Sequence, residues 1–139
     1  MPIEPDQAQM TEIAAAARDD ESPVVMLNLN RYRDRAAYED GTDAELTGRE
    51  AYARYGEAAL AALARLGGAV LWHADAGQTV IGDADDSYDE VIAVSYPSRA
   101  AFIALATDPD VVEALAHRRA GLERATLICC DAEPVPAGA

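Results

Sequence analysis

The sequence contains no lysine, since all 11 of its basic residues are arginine. Lysine forms Schiff bases with carbonyl substrates and with pyridoxal phosphate, and it binds the phosphates of nucleotides in phosphate loops. The absence of lysine therefore excludes these chemistries. A genome whose base composition favours arginine codons explains the absence more simply than selection does, and the exclusion holds in either case.

Histidine and cysteine are also scarce, with two residues of each type. His73 and His117 lie far apart in the sequence, and Cys129 and Cys130 are adjacent, so neither pair has the spacing of a zinc site. Neighbouring residues of a strand face opposite ways, and a disulfide between them would distort the backbone. We therefore interpret the cysteines as small buried thiols, and we expect a reactive thiol only if a histidine lies beside one of them.

Sequence motifs for cofactors are missing as well. The chain has no dinucleotide fingerprint, no phosphate loop, no Gly-x-Ser-x-Gly elbow and no paired-histidine metal motif. A metal site would have to be built largely from carboxylates, which is unusual for a catalytic transition metal. We therefore expect a protein that works without a cofactor and without a metal ion.

The composition is that of one acidic domain. The chain has 139 residues, of which 50% are hydrophobic, and its formal net charge is -14 at pH 7. This charge repels phosphate backbones and anionic membranes. The sequence has no run of about 18 apolar residues, and its N-terminus lacks the basic and apolar regions of a signal peptide. We therefore expect a cytoplasmic protein that binds neither nucleic acid nor membrane.

The apolar periodicity and the capping residues predict helices and strands along the whole chain. Thr47 and Glu50 have the spacing of a capping box and open the central helix. A polar loop, residues 33–47, precedes this helix and could be a lid, an interface arm or an insertion. The predicted helices are 6–18, 47–66, one that begins after Ser98 and one from Asp108 to about Gly121; the predicted strands are 24–32, 69–80, 90–96 and 126–130.

This order of elements predicts an α+β fold of the split βαββαβ type, in which a four-stranded antiparallel sheet carries helices on one face. The first helix is an addition to this plan. We therefore divide the chain into an N-terminal helical extension (1–22), the βαββαβ domain (23–131) and a loose tail (132–139). The uncovered apolar face of the sheet predicts a homodimer in which two sheets face each other and form a barrel.

Two asparagines interrupt the apolar first strand at two-residue spacing. Asn28 and Asn30 share a face because alternate residues of a strand point the same way, and a buried amide without a partner costs about 1 to 3 kcal/mol. We hypothesise that this face meets the polar sets of two other strands and lines an apolar cavity with a few polar groups. Those sets are His73 and Asp75 with Leu71, and Ser95 with Val91 and Ala93.

Five segments of the chain, taken in order, match a known family. They are residues 25–32, 48–56, 66–71, 89–102 and 108–122, and the match extends over about residues 24–130. With these segments the chain resembles the domain-of-unknown-function family numbered 1330. The resemblance implies a ferredoxin-like fold and a dimeric α/β barrel. The neighbouring superfamily includes cofactor-independent monooxygenases, haem-degrading enzymes, lactone isomerases and polyketide cyclases, so fold alone does not fix the chemistry.

His73 is the candidate catalytic residue, because a free histidine has a pKa near ~6.5 and suits proton transfer. A lone histidine on a strand is more often structural or exposed. The candidate substrate-binding residues are Asn28, Tyr52, Tyr55 and Arg118, whose side chains can hold ligand oxygens. Each has a structural alternative, since the asparagine could tie a strand edge, the tyrosines could pack in the core and the arginine could pair with an acid.

Two functions follow from these residues. The first is a cofactor-independent enzyme, an oxygenase, cyclase or isomerase, that acts on a small hydrophobic or aromatic metabolite. His73 moves the proton in this enzyme while Asn28 and the tyrosines orient oxygens. The second is a non-catalytic homodimer that binds a small ligand or has a purely structural role. A closed cavity of about a few hundred cubic ångströms that contains both Asn28 and His73 would favour the enzyme, and a solid core would exclude it.

Overall fold

The helices begin at residues whose side chains cap them. A computed structural model describes residues 2–131. In it, Asp6 and Thr47 each accept a hydrogen bond from the backbone N–H three residues further on, at 2.8 and 3.1 Å. Glu50 completes the capping box by accepting from the N–H of Thr47 at 3.0 Å. Ser98 and Asp108 cap the next two helices in the same way. The predicted helix starts are therefore confirmed.

The described residues form five helices and four strands. The helices are α1 (Gln7–Asp19), α2 (Gly48–Arg65), α3 (Arg99–Ala106), α4 (Pro109–Glu113) and α5 (Leu115–Gly121). The strands are β1 (Val24–Tyr32), β2 (Ala69–Asp75), β3 (Glu90–Tyr96) and β4 (Leu122–Asp131). A short 3-10 turn, Ala84–Asp86, lies between β2 and β3.

Three boundaries differ from the predicted ones. β2 ends at Asp75 instead of near residue 80, because the chain beyond it folds on itself, with the Thr79 hydroxyl donating to the carbonyl of Asp86 at 2.8 Å. The predicted last helix is divided at Ala114 into α4 and α5. β4 begins at Leu122, earlier than predicted. The predicted tail, 132–139, lies outside the described residues.

The strands form one antiparallel sheet in the order β2-β3-β1-β4. β1 and β3, which are separated by α2 and β2 in the sequence, are neighbours at the centre, and β2 and β4 are the edges. This is the ferredoxin-like topology, with all helices of the βαββαβ unit on one face. The predicted fold class is therefore confirmed.

The core lies between the helices and one face of the central strands. Val24 and Met26 of β1 pack against Ala62 and Leu63 of α2, and all four are at most 5% exposed. Since alternate residues share a face, this arrangement also turns the side chains of Asn28, Asn30 and Tyr32 toward the helices. The opposite face, which we call the open face, carries no helix among residues 2–131.

The loop of residues 33–47 is tied to the helix layer. The N–H of Arg33 donates to the carbonyl of Gly121 at 2.8 Å, and the N–H of Gly48 donates to the carbonyl of Arg33 at 3.0 Å. Ala36 packs with alanines of α2 and α5 in a small apolar cluster. The loop therefore braces α2 against α5.

The N-terminal segment packs on the same body. Pro2 accepts a hydrogen bond from the N–H of Ala125 on β4 at 3.1 Å, and Ile13 of α1 contacts the core. Arg99 pairs with Asp20 at 3.4 Å and with Asp131 at 2.9 Å, which joins this segment to α3 and β4. None of the helices within residues 2–131 has both the length and the apolar character needed to traverse a bilayer.

Candidate functional site

The helix layer leaves the edge strand β2 uncovered, and a cavity lies in the resulting gap. All seven residues of β2 are exposed. The cavity has a volume of about 450 Å³, which is in the range of small-molecule sites. Its walls come from α2, from Leu105 of α3 and from one face of β1, β2 and β3. The apolar lining residues include Leu60, Leu63, Val70, Ile92, Val94 and Leu105; the polar ones are Asn28, Tyr32, Arg49, Tyr52, Tyr55, Glu57, His73, Glu90 and Tyr96.

A β-bulge in β2 turns His73 into the cavity. Val70 pairs with Val94 and Trp72 pairs with Ala93, so one extra residue, Leu71, stands between them. The alternation of side chains shifts by one position at the bulge. Val70 and His73 therefore face the cavity, while Trp72 faces the other way and is 50% exposed. The predicted grouping of His73 with Leu71 is wrong for this reason.

Asn28 and His73 lie on the same side of the sheet and line the same cavity, as the hypothesis from strand alternation requires. Ser95 does not join them. It pairs with Val25 and Ala69 on the open face, and its hydroxyl donates to the carbonyl of Ala69 at 3.2 Å. The cavity face of β3 is the other alternate set, which contains Glu90 and Tyr96. The predicted position of Ser95 is therefore wrong.

Glu90 is the centre of the polar end of the cavity. Its side chain is 15% exposed, and it accepts a hydrogen bond from the Tyr32 hydroxyl at 2.6 Å. Its other carboxylate oxygen lies 3.2 Å from Nδ1 of His73. A carboxylate only accepts hydrogen bonds, so Nδ1 of His73 carries the hydrogen in this contact. Nε2 of His73 has no hydrogen-bond partner within residues 2–131, so a neutral His73 offers it as an acceptor.

Arg49 lies at the mouth of the same end. Its guanidinium is 2.8 Å from Asp75, 3.5 Å from Glu90 and 5.2 Å from the centre of the Tyr32 ring. The hydrogen bond with Asp75 raises the pKa of Arg49, so this residue stays charged. Arg49 is half-exposed, and its charge partly compensates the two carboxylates at the mouth.

The two asparagines of β1 have different environments. Asn30 is 2% exposed, and its amide donates to the Tyr32 hydroxyl at 3.3 Å, so it holds the tyrosine that contacts Glu90. Asn28 lines the cavity, and its amide makes long contacts with the carbonyls of Met26 and Ile92, at 3.4 and 3.3 Å. Asn30 is therefore structural, while Asn28 is available to a ligand.

Four tyrosines surround the cavity. Tyr52 of α2 stands between Tyr32 and Tyr55, with ring centres 5.4 and 5.5 Å away, and Tyr96 closes the cavity from the end of β3. Burial is the main cause that raises the pKa of all four hydroxyls. These phenols remain neutral at physiological pH and can donate hydrogen bonds to a ligand.

Arg118 and His117 lie outside the cavity. The Arg118 guanidinium donates to the carbonyl of Ile3 and lies 5.9 Å from the centre of the Tyr55 ring, so it supports that ring from outside. His117 is half-buried, with Nδ1 2.6 Å from the Tyr38 hydroxyl. The structure therefore gathers Asn28, Tyr52, Tyr55 and His73, while Arg118 stays apart from them.

The two cysteines face opposite ways. Cys129 packs against the core and Cys130 belongs to the open face, as their pairing with Met26 and Val25 requires. Burial raises the pKa of Cys129, which lowers its thiolate fraction. Neither thiol makes a described contact with a histidine. This environment is that of a structural thiol.

Sequence reasoning missed Tyr32, Arg49, Glu90 and Tyr96. Tyr32 had a usable signal, because it follows Asn28 and Asn30 in the same alternate set of β1. Glu90 and Tyr96 are the two ends of one alternate set of β3. Its middle members, Ile92 and Val94, are apolar, so the set did not indicate a polar face. Arg49 had no signal, since its role depends on how close the start of α2 comes to the end of β2.

Comparisons with known proteins agree with this fold. A family model described as domain of unknown function (DUF1330) matches residues 42–131. Two crystal structures of RPA0582, described as a protein of unknown function from Rhodopseudomonas palustris, are 39% identical to this chain. Their TM-scores are 0.87 and 0.85, covering 99% and 96% of this chain and 98% of theirs.

A more distant likeness extends to an enzyme. The hydroxynitrile lyase from Passiflora edulis is 17% identical, with a TM-score of 0.54, and the alignment covers 84% of this chain and all of that one. At this identity the likeness concerns the fold alone. A comparison with curated proteins finds no match.

Proposed function

This chain belongs to the family of domains of unknown function 1330, and from that premise we propose that it is a cofactor-independent enzyme for a small hydrophobic or aromatic metabolite. The proposed reaction class is proton transfer at a carbon next to a carbonyl group, as in an isomerase or a cyclase. A cofactor-independent oxygenase would begin with the same proton removal. The substrate occupies the cavity between α2 and the sheet.

The contact between His73 and Glu90 carries this proposal. With its Nδ1 hydrogen bonded to the carboxylate, His73 presents Nε2 as the base, and Glu90 stabilises the imidazolium that forms. The Tyr32 hydroxyl fixes Glu90 from the other side at 2.6 Å. In many proton-transfer enzymes a second group orients the base, and a third group holds that second group in place.

The other lining residues support the negative charge that proton removal creates. Nε2 of His73 takes the proton, and the electron pair of the C–H bond moves into the carbonyl to form an enolate. The neutral Tyr52 phenol is a donor that can stabilise the enolate oxygen, and the Asn28 amide can join it by exchanging one of its two long contacts with backbone carbonyls for that oxygen. Where a double bond is conjugated with the enolate, the imidazolium returns its proton to the far carbon of that system, which shifts the double bond and isomerises the substrate. Alternatively the enolate carbon attacks a second carbonyl and closes a ring, and the resulting alkoxide takes the proton from the imidazolium.

Hydrogen exchange at a carbon acid tests this proposal without knowledge of the natural substrate. We expect the protein to accelerate the exchange of the acidic hydrogens of 2-tetralone in D₂O, followed by ¹H NMR. His73→Ala and Glu90→Gln should each slow the exchange by about 100-fold or more, because general base catalysis contributes about that much.

His117→Ala is the matched control, since His117 lies outside the cavity, and it should exchange 2-tetralone at the rate of the unmodified protein. Equal rates for His73→Ala and the unmodified protein would refute the catalytic role of His73. If 2-tetralone binds in the cavity but does not exchange, the observations favour the second candidate function.

The second candidate is a non-catalytic homodimer that binds a small ligand. The exposure of His73, whose side chain is 68% accessible, favours it, because an open base exchanges its proton with solvent. The polar contacts of Glu90 would then serve only to hold the ends of β2 and β3.

Either function is compatible with a homodimer formed through the open face. Val25, Leu27 and Leu29 of β1 point to this face, and Trp72 and Ile128 on the outer strands are 50% and 46% exposed. Apolar patches of this kind are typical of interfaces between protein chains. We expect light scattering at micromolar concentration to give the mass of two chains, and the mass of one chain would refute the dimer.

A further inference from the structure

The end of the cavity away from Glu90 is enclosed. Leu63 and Leu105 are each 5% exposed there, and Tyr96 is 7% exposed. Tyr96 is six positions from Glu90 on β3, which corresponds to about 20 Å of extended strand. The cavity therefore has a polar mouth near His73 and an apolar inner end that also contains two phenol groups, those of Tyr55 and Tyr96.

The hydroxyls of these two tyrosines have no hydrogen-bond partner within residues 2–131. The other two cavity tyrosines differ, because Tyr32 donates to Glu90 and Tyr52 interacts with the Asn30 amide. Buried phenol hydroxyls normally have a partner. The Tyr96 residue is more than nine-tenths buried, but its oxygen is not among the fully enclosed unpartnered atoms of residues 2–131, so the hydroxyl opens onto the cavity that Tyr96 lines, where a ligand could accept from it.

The charges around the inner end indicate which kind of partner fits. Arg49, Glu90 and the titratable His73 lie together at the other end of the cavity, and Glu57, which follows Tyr55 on α2, is exposed and would repel an anion. The nearest cation is Arg118, which is engaged by the carbonyl of Ile3 and lies against the outer side of Tyr55. A carboxylate or phosphate would be buried there without a countercharge, which is costly. A neutral oxygen carries no charge, so its burial there needs no countercharge.

We propose that the inner end is a subsite for one neutral oxygen of the ligand, a ketone, ester or amide carbonyl, which accepts hydrogen bonds from the hydroxyls of Tyr55 and Tyr96. The ligand class is therefore an elongated apolar molecule with a carbonyl oxygen remote from the reacting carbon. This subsite rests on the proposed function only in taking the cavity as a binding site, and it holds for a catalytic or a non-catalytic protein. Burial raises the pKa of both hydroxyls, in agreement with a donor role.

A pair of ligands with the same shape tests the subsite. 2-Acetylnaphthalene carries a carbonyl where 2-isopropenylnaphthalene carries a CH₂ group, and both are neutral. Dissociation constants come from NMR titration of the unmodified protein and of the double variant Tyr55→Phe/Tyr96→Phe. We expect the double variant to bind 2-acetylnaphthalene about tenfold more weakly and to bind 2-isopropenylnaphthalene within twofold of the unmodified protein.

The infrared band of a ¹³C-labelled carbonyl gives an independent readout. Bound 2-acetylnaphthalene should absorb at lower frequency in the unmodified protein than in the double variant, because a hydrogen bond weakens the C=O bond. If the double variant does not fold, Tyr96→Phe alone carries the same comparison. A carbonyl band and an affinity ratio that the substitutions leave unchanged would overturn the subsite.

The outcomes separate this inference from the proposed function. Binding of both naphthalenes without any carbonyl preference contradicts the subsite and leaves the cavity as a binding site. Tighter binding of 2-naphthoate than of 2-acetylnaphthalene would overturn the neutral character of the ligand oxygen. Failure of all three compounds to bind would contradict both proposals.

Discussion

Tyrosines with similar burial have different roles around this cavity because their hydroxyls have different partners. Tyr32 accepts from Asn30 and donates to Glu90, so its hydroxyl belongs to the folded framework. The hydroxyl of Tyr96 has no partner within residues 2–131, although the residue is equally buried. A hydroxyl with protein partners stabilises the fold, whereas the Tyr96 hydroxyl, which opens onto the cavity, contributes no hydrogen bond between protein groups.

Substitution by phenylalanine should reveal this difference in the free energy of unfolding. Tyr32→Phe removes two hydrogen bonds and leaves Glu90 and Asn30 short of a partner, so we expect a loss of about 1 to 2 kcal/mol. Tyr96→Phe removes a hydroxyl without partners and should change the free energy by less than about 0.5 kcal/mol, or increase it. Urea denaturation followed by circular dichroism measures both values. A larger loss for Tyr96→Phe than for Tyr32→Phe would contradict this assignment.

The buried phenols should also make the protein sensitive to alkali. Burial raises their pKa above the ordinary value near ~10, so at high pH the unfolded chain loses phenolic protons that the folded protein keeps. The stabilisation is complete below pH ~10 and decreases as pH rises through and above that value, by about 1.4 kcal/mol per pH unit for each such tyrosine.

Urea midpoints at pH 9, 10 and 11 test this dependence. Tyr96→Phe should show a shallower decrease than the unmodified protein, because one titrating group has been removed. Parallel decreases for the two proteins would show that the Tyr96 phenol does not titrate differently in the two states.

At the scale of elements, α2 and α5 approach closely because both present a glycine. A Cβ at Gly121 would lie 2.9 Å from the backbone nitrogen of Tyr52 and closer still to the carbonyl of Gly48. The same region receives the hydrogen bonds of Arg33 from the loop. This contact fixes the start of α2, and with it the position of Arg49 at the cavity mouth.

Two glycine substitutions should therefore have opposite effects on stability. Gly121→Ala forces α5 away from α2 and should cost about 2 to 3 kcal/mol. Gly56→Ala, in the middle of α2, meets no atom within 4 Å and should stabilise the helix by about 0.5 to 1 kcal/mol. Because Gly56 lines the cavity, its alanine variant should also bind 2-acetylnaphthalene more weakly. Thermal unfolding and NMR titration of both variants measure these effects, and a gain in affinity for Gly56→Ala would contradict the location of the site.

How far the sequence predicts each element depends on the regularity of its backbone. β1 has no irregularity before Arg31, so two-residue alternation correctly put Asn28 and Asn30 on one face of the sheet. In β2 the same rule grouped the wrong neighbours, because an extra residue in a strand leaves no mark in composition or hydrophobicity. In β3 the two faces are similarly apolar, so the single polar residue Ser95 led to the wrong prediction of which face is polar. The polar side chains on the cavity face of β3 are those of Glu90 and Tyr96. The contact of His73 with Glu90 depends on the register in which β2 pairs with β3, and a single sequence does not specify that register.

At the scale of the whole molecule, one face of the sheet supports the core and the other is apolar without a cover among the described residues. The strong negative charge of the chain would oppose association of two copies through charged surfaces. The open face avoids this repulsion, since its central side chains are uncharged.

Single charges on the two faces of the molecule should separate dimer formation from folding. Trp72→Glu puts a carboxylate in the proposed interface and should give the mass of one chain in light scattering. Val112→Glu is the control, because Val112 of α4 is exposed to a similar degree, at 47%, on the helical side. It should keep the mass of two chains. Equal masses for the two variants would refute an interface at the open face.

Because of the extra residue in β2, the number of residues between Val70 and His73, and not their types, decides which side chains of this strand face the cavity. Val70 and His73 face the cavity only because three steps along the chain span two positions of the ladder. A related chain with one residue fewer in this segment could keep the histidine inward by forming a regular strand. A chain of the same length that lacked the bulge would turn the histidine to the outside. In an alignment of relatives, a gap at Leu71 therefore predicts which β2 side chains of the relative face the cavity.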